Sequence, residues 1–67
     1  MARYDIILLG ADGRIREVVP LRARDDEEAE RAARAEAHPH WRELWAGPRL
    51  VGRYPPGAGD VLALAPR

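Results

Sequence analysis

The chain has 67 residues, no cysteine, and a formal net charge of zero from eleven arginines against eleven carboxylates. That length gives one small domain, and the missing thiols exclude disulfide staples and thiolate zinc sites. Serine, threonine, lysine, asparagine, glutamine and phenylalanine are also missing, so the usual nucleophiles of covalent catalysis are gone and no enzyme is expected.

The first element is a strand over residues 3–9, Arg-Tyr-Asp-Ile-Ile-Leu-Leu, which is rich in β-formers. Asp12-Gly13 then signals a hairpin turn, because Gly accepts positive φ and Asp bonds its own backbone. The acid at Asp12 needs no other role. Gly10 and Gly13 lack the strand-to-helix context of a phosphate loop. A second strand is expected over 14–19, with Pro20 ending it or lying on an edge.

Asp25 opens a helix as its N-cap, with Glu28 three residues on in a capping-box-like arrangement. The acidic run 25–28 suits the positive end of the helix dipole. The helix is expected to reach about Ala37. Ala29, Ala32, Ala33 and Ala37 fall on one face, and Glu27–Arg31 and Glu30–Arg34 are i, i+4 pairs. Pro39 stops it.

His38 and His40 alternate about Pro39, as in a metal-binding pair that would need Glu36 or Glu43 as a third ligand. The competing reading is that they are helix-end histidines favoured by the dipole. No metal or other cofactor is assigned. A third strand is expected over 40–46, a turn at Gly47-Pro48, and a fourth strand over 49–54. Residues 55–67 read as a Pro/Gly-rich linker and tail, with a short extra strand at 60–65 as the alternative.

The expected fold is therefore α+β, in the order β-β-α-β-β. It has a four-stranded antiparallel sheet with one helix packed on one face, in a single domain over residues 1–54. Alternation puts Tyr4, Ile6 and Leu8 on one face, Trp41 and Trp45 opposite Leu44, and Leu50 and Tyr54 opposite Val51. Neither face reads as polar, yet one helix covers only one face. The other should be an interaction surface, and the simplest partner is a second copy of the chain.

The residues expected there are Trp41, Trp45, Leu50, Tyr54, Arg42, Arg49 and Arg53. An unknown protein partner is a second possibility. An alternative function is a small anion or nucleic-acid binding domain, in which strand arginines grip phosphate and the tryptophans stack bases. Zero net charge counts against nucleic acid.

No apolar run approaches the roughly 18–20 residues of a membrane span. Met1-Ala2-Arg3-Tyr4-Asp5 lacks the layout of a signal peptide. A cytoplasmic protein is expected. Arg in place of Lys, with abundant Ala, Gly and Pro, reads as the codon usage of a GC-rich bacterial genome, or else as selection for Arg forks that bind anions.

Three runs carry a resemblance: Tyr4-x-Ile6-x-x-Leu9 with Asp12-Gly13-x-Ile15; Asp25-Asp26-Glu27-x-Ala29; and Glu43-Leu44-Trp45-x-Gly47-x-Arg49-x-Val51. Together they resemble a group of small uncharacterised proteins common in alphaproteobacteria, over about residues 3–54. The resemblance implies a bacterial, cytoplasmic protein of unknown function, and it assigns no catalytic residue.

Overall fold

A computed structural model describes residues 1–57 of the protein. The strand or tail expected at 60–65 lies outside the described residues. The elements are β1 (Ala2–Leu9), β2 (Ile15–Ala23), α1 (Asp26–Ala35), β3 (Arg42–Ala46) and β4 (Arg49–Tyr54). They form one antiparallel sheet in the order β2-β1-β3-β4, with α1 packed against one face. This is the expected α+β fold in the expected order.

The β1–β2 turn is longer than a two-residue hairpin. Gly13 N–H donates to the Gly10 carbonyl at 2.9 Å, Gly10 N–H donates to Arg14 O at 2.7 Å, and the Asp12 carboxylate accepts from Arg14 N–H at 3.0 Å. Gly13 has φ +82°, so the loop is a three-residue turn with glycine at the left-handed position. The β3–β4 turn has two residues. Gly47 takes φ +59°, and Pro48 is locked to negative φ, which excludes a type I′ turn and leaves II′.

Pro20 does not end β2, which runs on to Ala23. Leu9 N–H donates to Trp41 O at 3.0 Å, so the odd-numbered residues of β1 bond toward β3 and the even-numbered ones toward β2. Asp5 and Pro20 therefore face each other at a non-hydrogen-bonded pair. The proline nitrogen lies on the free edge, where no donor is needed.

The helix starts as its sequence dictates. The Asp25 side chain accepts from Glu28 N–H at 2.9 Å, and Glu28 reaches back to Arg24 N–H at 2.7 Å. The Glu30–Arg34 and Glu27–Arg31 pairs form at 3.2 and 3.7 Å. On this exposed face each is worth a few tenths of a kcal/mol. The helix ends at Ala35, two residues before the expected Ala37, with Glu36 extended as its C-cap.

Ala29 and Ala33 are fully buried. Their small side chains let the helix backbone sit close to the sheet, so the strands supply the bulk through Tyr4, Ile6, Leu8, Leu44 and Tyr54. Burying a side chain such as Leu44 contributes about 1.5–3 kcal/mol.

Candidate interaction surface

The ladder registers sort the strands into two faces. Tyr4, Ile6 and Leu8 face the helix together with Val19, Leu21, Arg42 and Leu44. The opposite face carries Val18, Pro20 and Arg22 from β2 and Arg3, Asp5 and Ile7 from β1. Glu43 and Trp45 from β3 and Leu50 and Arg53 from β4 complete it. Among the described residues no element packs over that second face. Val18, Trp41 and Leu50 are exposed there at 49%, 44% and 44%.

Four of the seven residues expected on this surface gather there. Trp45 pairs with Leu50 across β3 and β4, and its indole N–H donates to the Glu43 carboxylate at 3.0 Å. Arg53 forms an ion pair with Glu43 at 3.3 Å, and its guanidinium carbon stands 5.2 Å from the centre of the Trp41 ring. A cation over an indole face contributes about 0.5–1 kcal/mol when exposed.

The other three lie on the helix side. β4 carries a bulge at Val51, since Leu44 pairs with Gly52 while Trp45 pairs with Leu50. The extra residue breaks the period of two, so Leu50 and Tyr54 point to opposite faces, as do Arg49 and Arg53. Tyr54 is buried over the core. Burial pushes its phenol above the ordinary tyrosine range, and the negative charge of Glu30 adds to this.

Arg42 is a correction of a different kind. It is 2% exposed and serves the interior. Its Nη1 donates to the carbonyls of Ala33, Arg34 and Glu36 at 2.9, 3.1 and 2.6 Å, and its Nη2 donates to Pro55 O at 2.6 Å. A helix leaves its last carbonyls without partners; here one guanidinium from β3 reaches those of Ala33 and Arg34 and that of the C-cap Glu36. Burial lowers the Arg42 pKa, and Glu36 counteracts that.

Arg49 is held by Asp26 at the start of the helix, with Nη1–Oδ2 and Nη2–Oδ1 contacts of 3.0 and 3.1 Å. Tyr4 donates its hydroxyl to the same carboxylate at 2.8 Å. The Arg49 hydrogen bonds, and after them the Tyr4 bond, hold the Asp26 carboxyl below its ordinary value. Tyr4 is shifted upward, first by its bond to Asp26 and then by burial. The same carboxylate raises Arg49. Sequence reasoning missed this three-residue junction, because nothing local links positions 4, 26 and 49.

His38 and His40 stand edge-to-face with ring centres 5.9 Å apart. Among the described residues no group of three or more His, Asp or Glu side chains converges as a metal site, so neither Glu36 nor Glu43 joins the pair. No helix of the described residues is long and apolar enough to cross a membrane. A scan of protein-family models and searches of curated proteins and of solved structures return no significant match.

Proposed function

We propose that the protein is a non-enzymatic interaction module that associates with a second copy of itself through the open face of its sheet. The observation that carries this reading is the face itself. Val18, Trp41 and Leu50 are exposed on a face that also carries Ile7, Pro20 and Trp45, and apolar side chains left uncovered in this way suit a contact surface.

Charge favours a second copy as the occupant. A two-fold interface must be self-complementary. Arg3, Arg22 and Asp5 share the face, and none has an ion-pair partner among the described residues. A rotated copy sets the acid of one chain against the arginines of the other. Light scattering on the full chain at tens of micromolar tests the proposal. A dimer that Trp45→Ala or Leu50→Arg converts to monomer, with circular dichroism unchanged, is the expected result. A monomeric parent chain ends this reading.

A second reading rests on a separate observation. Arg3 and Arg22 face each other across β1 and β2, like charges whose apposition is unfavourable, and Arg53 lies over Trp41 on the same face. Arginines and aromatics on a sheet also suit a single-stranded nucleic acid. Fluorescence titration with a mixed-sequence oligonucleotide separates the two. Binding that weakens steeply with salt supports this reading, and none is expected if the face only self-associates.

A further inference from the structure

A cleft lies between β2 and the segment 38–40. Its volume is about 340 Å³, and its walls are Leu8, Leu9, Arg16, Glu17 and the segment from His38 to His40. His38 is fixed within it. Its Nε2 lies 2.6 Å from the Leu9 carbonyl oxygen. A carbonyl can only accept, so Nε2 carries the proton and neutral His38 keeps its lone pair on Nδ1. Histidines that ligate metals are oriented in this way, with the second ring N–H given to a carbonyl or carboxylate.

The second imidazole is at a suitable separation. A metal about 2.0–2.1 Å from one nitrogen of each ring sets the ring centres about 4.5–6.4 Å apart, for N–metal–N angles from about 90° to about 180°. The His38 and His40 centres are 5.9 Å apart with planes at 79°. Pro39 between them has a ring-locked φ, which reduces the conformational freedom that binding must remove.

We propose that His38, through Nδ1, and His40 bind one divalent transition-metal ion in this cleft, with water completing its coordination. Two imidazoles select copper(II), nickel(II) or zinc(II) over magnesium and calcium, and copper(II) is held most tightly of the three.

The test is calorimetric titration of the full, untagged chain with copper(II), nickel(II) and zinc(II) salts, together with electron paramagnetic resonance of the copper form. One equivalent should bind, with copper(II) tightest and with hyperfine structure from two imidazole nitrogens. The His40 side chain makes no hydrogen bond among the described residues, so His40→Gln should keep its melting temperature while losing about tenfold or more in affinity and one nitrogen from the spectrum. His38→Gln retains an N–H donor for Leu9 and should show the same losses. Affinity and spectrum unchanged in both variants would overturn the proposal. So would copper binding no tighter than nickel or zinc.

Discussion

The Tyr54 side chain folds back over Gly52, so closely that a Cβ at position 52 would stand 2.6 Å from the tyrosine hydroxyl oxygen. That hydroxyl is buried with no hydrogen-bond partner. The glycine makes room for the ring, and the ring closes the core beneath β4. Gly52→Ala must therefore displace Tyr54 and should cost about 1–3 kcal/mol in urea denaturation. Tyr54→Phe removes an unsatisfied polar atom and should be neutral or stabilising by about 1 kcal/mol. In the double variant the penalty should be smaller than that of Gly52→Ala alone, because the atom nearest the new methyl is gone.

Arg42 on β3 ties the end of the helix to Pro55, just past β4, through four carbonyls. Arg42→Leu removes the guanidinium donor from the half-buried Arg34, Glu36 and Pro55 carbonyls, while Ala33 O keeps the Glu36 N–H. A loss of about 1–3 kcal/mol is expected from acceptors left unpaired, measurable as a fall in the urea midpoint. Arg42→Lys keeps the charge but not the fork and should recover only part of the loss.

The Tyr4–Asp26–Arg49 junction makes stability depend on pH in two directions. Asp26 has a depressed pKa in the folded chain. Its contribution is complete above the unfolded value of about 3.9 and is lost as pH falls through the folded value. Tyr4 and Tyr54 are raised, so their contributions are complete below about pH 10 and are lost as pH rises through their folded values. Urea midpoints of the parent and of Asp26→Asn should differ at neutral pH and converge only as pH falls from about 3.9 through the depressed folded value. An unchanged gap at low pH would assign the effect to packing.

Pro20 guards the free edge of β2. Its missing N–H interrupts the row of donors that another strand would need. Pro20→Val restores that donor beside Val18, which is exposed. The variant should keep its fold but form larger species, detected by light scattering and by thioflavin fluorescence on concentration. No increase in size would show that the arginines of β2 already protect this edge.

The element order and the helix start were legible in the sequence because both rest on local chemistry: β-rich runs, Asp-Gly and Gly-Pro turns, and an acid at the N-cap. The face of Trp41 and Trp45 opposite Leu44 was legible too, because β3 keeps its period of two. Leu50 and Tyr54 were misphased because a bulge at Val51 leaves no mark in composition. Arg42 was read as a surface residue because arginine is almost never fully buried unless paired. Its partners are main-chain carbonyls, which no side-chain pattern announces. The extension of β2 past Pro20 required knowing that β2 is an edge strand, and only the assembled sheet settles that.

Both ends of α1 are completed from elsewhere in the chain. Asp26 in its first turn is tied to Tyr4 on β1 and Arg49 on β4, and the carbonyls of its last turn are tied to Arg42 on β3. Ten residues are too few for a helix to persist by itself in water. The helix therefore cannot serve as an early scaffold on which the strands collect. It becomes stable only as both hairpins close around it, so folding should proceed in a single kinetic phase, and the amides of α1 should exchange with solvent no faster than those of the central strands.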